Sequence, residues 1–259
     1  MSIVDPSPRI LTAKSVLGKL ARLPLRLVPA EARVRVRKGP LKGLRWIVGS
    51  HIHGCWLGTY EREKADLFAG MLRDGGVMYD IGANVGYYAL LSSRLVGTVG
   101  HVYAFEPSPR NLEYLKQHVL MNDMQNVTVY DVGVSDSPGE ASFDLGVNPA
   151  SGHLQTDHAT APSGKTVKVR LVSLDDMLSR QVIRPPDWIK IDVEGGEEQV
   201  LSGMTACMAK HRPIILLATH SRRLHDSCVA TLKAAGYKLR VLEEPTVGTD
   251  LGEVLATAS

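Results

Sequence analysis

Apolar and polar residues change rhythm along this chain, and each change marks an element. In "RILTAKSVLGKLARLP" (9–24) apolar side chains fall at 10, 13, 16, 17, 20 and 23, the spacing of one helical face. Lys14, Lys19 and Arg22 are interspersed with it, and Pro24 stops the pattern. "VRVRKGPLKGLRWIV" (34–48) alternates on both sides of Gly39-Pro40, which predicts a β-hairpin. "GTYEREKADLFAGMLRDGG" (58–76) returns to helical spacing at 65, 67, 68, 71 and 72, and Asp74-Gly75-Gly76 ends it.

From residue 77 onward strands and helices alternate. The runs "VMYDIG", "HVYAFEP" (101–107), "NVTVYDVGVSD" (126–136), "DWIKIDVEG" and "RPIILLATH" (212–220) read as strands. The last has five successive apolar residues, as expected of a strand buried on both faces. "NLEYLKQHVLMND" (111–123), "SLDDMLSR" with Ser173 as N-cap, and "SCVATLKAAG" ending at Gly236 read as helices. "EASFDL" and "KTVKVRLV" predict strands around an irregular loop, and "YKLRVL" and "GEVLATA" two final strands. Repeated βα units predict an α/β fold: a mostly parallel sheet with helices on both faces. An N-terminal extension of helix and hairpin (1–57) precedes the main domain (58–259).

Composition narrows the field. With 44% hydrophobic residues, 259 residues can bury a sizeable core. The 5% of aromatics disfavours an aromatic-rich nucleic-acid or carbohydrate platform. Cys55, Cys207 and Cys228 are scattered and form no CxxC pair, so neither a disulfide framework nor a zinc site is indicated. No apolar run approaches the ~18 residues of a membrane span, and no signal peptide is visible, which predicts a cytoplasmic chain. Residues 1–45 carry eleven Lys/Arg against two acids. A basic amphipathic helix at 9–24 fits packing on its own domain best, with peripheral contact to an anionic membrane as the alternative.

"YDIGANVGYYAL" (79–90) is strand, tight glycine turn, helix. Its Gly82-x-x-x-Gly86 spacing departs from the dinucleotide pattern and from the phosphate loop, which weighs against a nicotinamide enzyme. Asp80, just before it, would repel a pyrophosphate and attract a cationic ligand end. Glu106, at the end of the next strand, suits two ribose hydroxyls. Together they point to S-adenosylmethionine, which carries an ammonium and a sulfonium.

The sequence resembles the FkbM family of S-adenosylmethionine-dependent O-methyltransferases. The resemblance rests on "GTYE" (58–61), "YDIGANVGYY" (79–88), "VYAFEPSPRN" (102–111), "VGVSD" (132–136), "VSLDDML" (172–178) and "IKIDVEGGEEQVLSGM" (189–204). It implies a class I methyltransferase fold, a Rossmann-like sandwich of seven strands with the last antiparallel. It also implies methyl transfer to a hydroxyl of a sugar, glycolipid or polyketide. By position it would place Tyr60, Glu61, Asp80, Gly82, Asn84, Gly86 and Glu106 at the cofactor. One departure stands out: where the family usually carries a glutamate in the fifth strand, this chain has Ala218.

Methyl transfer needs an oxygen held opposite the sulfur and a group to take its proton. The open ends of the fourth and fifth strands are where acceptor meets cofactor in such a sheet. Asp192, ending the fourth strand, is expected at the cofactor methyl or the acceptor hydroxyl. Lys190 shares its alternation phase and would keep a carboxylate ionised. Glu194 is expected on the boundary between site and helix start, and Glu197 and Glu198 as helix-start carboxylates. His220 is a candidate general base. His153 and His158 lie in the irregular loop, His153 as a candidate acceptor contact. Asp192 and Glu194 could give two oxygen ligands to a metal, but Ala218 argues against a dedicated site. A nucleic-acid methyltransferase is disfavoured, since no (N/D)-P-P-(Y/F/W) signature follows the fourth strand. A non-catalytic S-adenosylmethionine-binding protein is the remaining alternative.

Overall fold

A computed structural model describes residues 27–146, 165–245 and 252–258, with Leu25 and the backbone of 153–154. The basic segment 9–24 and His158 lie outside the described residues. In chain order the first elements are β1 (Arg33–Arg35), β2 (Arg45–Ile47), α1 (Gly54–Leu57), α2 (Arg62–Met71), β3 (Val77–Ile81), α3 (Tyr87–Val96), β4 (His101–Phe105), α4 (Pro109–Met121) and β5 (Val127–Tyr130). Then come β6 (Gly133–Val134), β7 (Gly139–Asp144), β8 (His153–Leu154), β9 (Thr166–Val172), α5 (Leu174–Ser179) and β10 (Trp188–Ile191). The chain continues through α6 (Glu197–Ser202), α7 (Thr205–His211), β11 (Ile214–Thr219), α8 (Arg222–Ala234), β12 (Tyr237–Glu243) and β13 (Gly252–Ala258).

The central sheet has seven strands in the order β5-β4-β3-β10-β11-β13-β12. Its first five are parallel, and β13 runs antiparallel between β11 and β12. From β3 the chain builds outward to β4 and β5, then returns to lay β10 on the other side. That reversal opens a crevice beyond the carboxyl ends of β3 and β10.

Strand alternation separates two cores. Met78, Trp188, Leu216 and Leu255 face Phe68 of α2, Leu90 of α3, and Val36 and Trp46 of the hairpin region. Tyr79, Ile81, Ile189, Ile191, Ile215 and Leu217 face Val200 of α6, Met208 of α7 and Leu232 of α8. Each such side chain stabilises by roughly 1.5–3 kcal/mol when buried. Asp80 and Lys190 are polar exceptions on the first face, both buried. Among the described residues no helix is long and apolar enough to cross a membrane.

The hairpin shares the first core. Fully buried Trp46 stacks on His118 of α4 with ring centroids 4.1 Å apart. The Ile47 amide donates to His118 Nε2 at 3.0 Å, which leaves Nδ1–H to donate to the Val85 carbonyl at 2.7 Å. One histidine thus ties β2 to the glycine loop.

The run 126–136, expected as one strand, is two. β5 stays in the central sheet, whereas β6 joins a second sheet in the order β6-β9-β7-β8. The chain turns at exposed Asp131, and the apolar phase slips there from Val127 and Val129 to Val132 and Val134.

Candidate active site

A cleft opens over the carboxyl ends of β3 and β10. One end is the loop 82–86. Gly82, Asn84 and Gly86 all have left-handed backbones, with φ of 75°, 50° and 94°. At Gly82 glycine is obligatory, because a Cβ would stand 1.9 Å from the Asp192 carbonyl oxygen. Only a bare backbone lets β3 and the end of β10 approach this closely. Gly86 does different work. It caps α3, and a Cβ there would meet Leu115 of α4 at 2.6 Å. Gly86 therefore packs helices behind the loop and is not part of the cleft wall.

Glu106 follows β4 and is buried at the cleft wall. Its Oε2 accepts from the Asn84 amide at 2.7 Å and its Oε1 from the Ser108 amide at 2.8 Å. Burial pushes its carboxyl up to about 7, against those two backbone donors. A carboxylate offers about four lone-pair sites, so two remain for a ligand's hydroxyls. This held carboxylate and the glycine cradle fit the ribose and the close backbone approach that S-adenosylmethionine demands.

Besides Gly86, two further residues expected at the cofactor sit elsewhere. Asp80 is fully buried beneath the cleft, 3.6 Å from Lys190 Nζ, and does not line it. Burial raises its carboxyl above the ordinary range, with Lys190 opposing, so it is not a charge offered to a ligand cation. Glu61 has a left-handed backbone, and its carboxylate accepts from Tyr88 Oη and from Lys64 Nζ at 3.1 Å. Those partners turn it away from the cleft, whereas Tyr60 does line it.

The other end is made of side chains. Strand pairing sets Lys190 beside Asp80, and its phase carries Lys190 and Asp192 to one face. Lys190 Nζ lies 3.2 Å from Asp192 Oδ2 and over the Tyr88 ring at 5.2 Å. Burial works to lower the Lys190 pKa, but Asp192, then Asp80 and Glu61, hold it above the usual lysine range. Burial also works against ionised Asp192, yet Lys190 and then His220 hold its carboxyl below the ordinary range. Asp192 is therefore an ionised carboxylate facing the cleft.

His220 Nε2 lies 3.5 Å from Asp192 Oδ1 and 3.5 Å from Glu194 Oε1. Its Nδ1 is 2.7 Å from Glu197 Oε1. Burial would lower its pKa, but Glu197, Glu194 and Asp192 outweigh that and raise it to about 9. At neutral pH His220 already carries its proton, so the expectation of a general base there does not hold in this arrangement. Glu197, expected as a helix-start carboxylate, does open α6. It is also fully buried and bound to His220, while Glu198 pairs with Arg223.

Further cleft residues are not singled out as site residues by the sequence. Val134 and Phe143 from the second sheet line the cleft, as do Val132 just before β6, His51, Asn111 and Tyr87. Cys55 also lines it, but burial, helped by Glu61, pushes its thiol up to about 12, leaving it unreactive. The register sets Ala218 of β11 directly opposite buried Glu253 of β13. A carboxylate thus stands across the strand from the alanine, paired with Lys64. His153 lies on β8 opposite Asp144, and its side chain is outside the described part.

This strand order, with a glycine loop after the first strand and a held acid after the second, defines the class I S-adenosylmethionine-dependent methyltransferase architecture. The Methyltransferase FkbM domain model matches residues 80–239, and the chain belongs to that family. It is 30% identical over 147 residues to the hexuronic acid methyltransferase AglP of Haloferax volcanii, covering 56% of each chain. It is 26% identical over 214 residues to the 31-O-demethyl-FK506 methyltransferase FkbM of Streptomyces tacrolimicus, covering 71% of this chain and 82% of that one. Its fold is similar to the structure of methyltransferase FkbM from Methylobacillus flagellatus KT, with 18% identity and a TM-score of 0.50 over 76% of this chain and 46% of that one. The chain spans about half the length of AglP and of the Methylobacillus protein.

Proposed function

We propose that the chain transfers a methyl group from S-adenosylmethionine to a hydroxyl oxygen of a sugar-, glycolipid- or polyketide-type acceptor. The observation that carries this reading is the ionised Asp192 facing the cleft between Lys190 and His220. When bound, S-adenosylmethionine supplies an electrophilic methyl whose C–S bond breaks as the C–O bond forms, releasing one proton. Asp192 takes that proton, since it is ionised and faces the cleft, whereas His220 is already protonated. Lys190, anchored on Asp80, fixes the Asp192 carboxylate. Glu106 and the backbone of 82–84 hold the cofactor's sugar and adenine side, and Tyr60 and Asp192 its other end. Glu194 and the walls from β6 and β7 face the acceptor. The names of both curated relatives support an oxygen-rich acceptor, one a sugar acid and the other a demethylated O-site.

Labelled methyl transfer tests this. The full chain, labelled S-adenosylmethionine and hydroxylated acceptors, uronic acids among them, should give an alkali-stable methyl ether. Label released by mild alkali would mean a carboxylate ester and a different acceptor group. Cofactor binding without transfer to any fractionated acceptor pool would favour the non-catalytic alternative.

A further inference from the structure

We propose that Asp192, Glu194 and His220 hold a divalent transition-metal ion of the Mn²⁺ type at the acceptor end of the cleft. The site itself is read from ligand geometry. Its use, to bind and acidify the acceptor oxygen, rests on the hydroxyl-methylation reading above.

Three donor atoms, one from each residue, lie within 4.8 Å of one another. The two contacts from His220 Nε2, each 3.5 Å, are long for N–H···O hydrogen bonds, which run 2.7–3.2 Å. They match neighbouring ligands on one ion. With metal–ligand bonds of about 2.1–2.2 Å, adjacent donors stand roughly 3.0–3.5 Å apart. Small side-chain adjustments complete such a set.

The surroundings orient these donors. Asp192 gives Oδ2 to Lys190, and its other oxygen, Oδ1, is the one nearest His220. His220 is fixed through Nδ1 by Glu197, a fully buried carboxylate outside the ligand set. That carboxylate–histidine pair is the outer-shell arrangement that aims the other ring nitrogen at a metal. It comes from α6, independently of the strand end that carries Asp192 and Glu194.

The donor set also selects the ion. Two carboxylates and one imidazole, with no thiolate, suit Mn²⁺ or a similar first-row ion rather than Ca²⁺. Two carboxylate charges balance a divalent cation, which replaces the proton on Nε2. Three protein ligands leave coordination positions for an acceptor oxygen, where the ion would act as a Lewis acid, and the proton shed by that oxygen would still go to Asp192, on Oδ2, the oxygen outside the ligand set. Ala218 is not needed for this set.

The test is Mn²⁺ titration of the chelator-stripped full chain, with free Mn²⁺ read by electron paramagnetic resonance. One equivalent should bind and be displaced by Zn²⁺. His220→Ala and Glu194→Gln should each weaken binding at least tenfold, and Glu197→Gln by about 10–100-fold. Thermal unfolding of each variant separates a lost ligand from a lost fold. Glu194, half-exposed, is the substitution least able to disturb folding. Mn²⁺ left free at millimolar concentration by a folded chain that still binds cofactor would overturn the site. So would an affinity indifferent to both His220→Ala and Glu194→Gln, leaving a protonated histidine between two acids as the whole account. Stoichiometric Mn²⁺ binding with no methyl transfer would sink the proposed reaction and leave the metal site standing.

Discussion

The two ends of the cleft are built in opposite ways. The cofactor end is largely backbone: Gly82, the Asn84 amide and the Ser108 amide shape it, and Glu106 is the one charge they hold. The acceptor end is nearly all charged side chain, with Lys190 on β10, Asp192 and Glu194 in the loop after it, Glu197 opening α6 and His220 just past β11. Backbone geometry tolerates little change but asks for little exact chemistry. A charge cluster loses its reactivity when one member changes, and keeps its fold best where that member is partly exposed, as Asp192 and Glu194 are. Substitutions at the first end should therefore cost binding, and at the second turnover.

The sharpest break in that comparison comes at Asp192. Asp192→Asn keeps the shape and removes the ionised acceptor of the proton. Steady-state transfer should fall about 10²–10⁴-fold, and cofactor affinity by calorimetry should fall by less than that, because Asp192 is one of several contacts to the cofactor. Full-rate transfer by this variant would end the base assignment.

Gly82→Ala tests the point where the two ends touch. Its Cβ would stand 1.9 Å from the Asp192 carbonyl, on a backbone with φ of 75°. Either the end of β10 moves or β3 does. The expected result is cofactor affinity down by about 100-fold or more, together with a thermal shift equivalent to over ~2 kcal/mol. Gly86→Ala should also destabilise, through Leu115, but the chain that remains folded should bind cofactor more nearly normally.

Glu106→Ala removes two sites for ligand hydroxyls. Hydrogen bonds to a charged group are worth about 1.5–3 kcal/mol, so cofactor affinity should drop roughly 10–100-fold. In the wild type the carboxyl titrates near 7. Binding to the ionised form should therefore weaken as pH falls through 7, and calorimetry across pH 6–8 reads it. A flat profile would mean that Glu106 does not accept from the ligand.

The same contrast explains what the sequence reveals. The cofactor end lies within a dozen residues plus Glu106, and its elements announce themselves by apolar runs and glycines. Even there, pattern alone does not separate glycines by purpose. Gly82 allows close approach of backbone, whereas Gly86 accommodates Leu115, and both stand in the same motif. Asp80 and Glu61 read as ligand acids until Lys190, Tyr88 and Lys64 are placed against them. At the acceptor end, the His220–Glu197 pair joins residues 23 apart, with no local period to mark it. Glu253 faces Ala218 only through the antiparallel register of β13. Two strands of the second sheet show as "EASFDL" and "KTVKVRLV", but the departure of β6 from the central sheet is marked only by the slip of phase at Asp131.

The smallest expected effect concerns the brace between hairpin and glycine loop. His118 is fully buried and neutral, accepting at Nε2 from Ile47 and donating at Nδ1 to Val85. Burial lowers its pKa to about 4, with the Val85 bond opposing. The unfolded chain, titrating near 6.5, binds the extra proton first. Stability from this group is therefore present above about 6.5 and is lost as pH falls towards 4. Once protonated, Nε2 presents a hydrogen to the Ile47 amide, and the tie to the hairpin becomes a repulsion. Glu106 acts with the opposite sign. Its raised folded-state pKa favours the folded form as pH falls from about 7 towards 4.5, which masks part of the histidine effect. Comparison of His118→Gln with the wild type removes that mask. Chemical denaturation at pH 7 and pH 5 should show the wild type losing roughly 1–2 kcal/mol more than the variant. Equal losses would mean that the hairpin is held by Trp46 packing alone, and that the cofactor loop owes nothing to the histidine behind it.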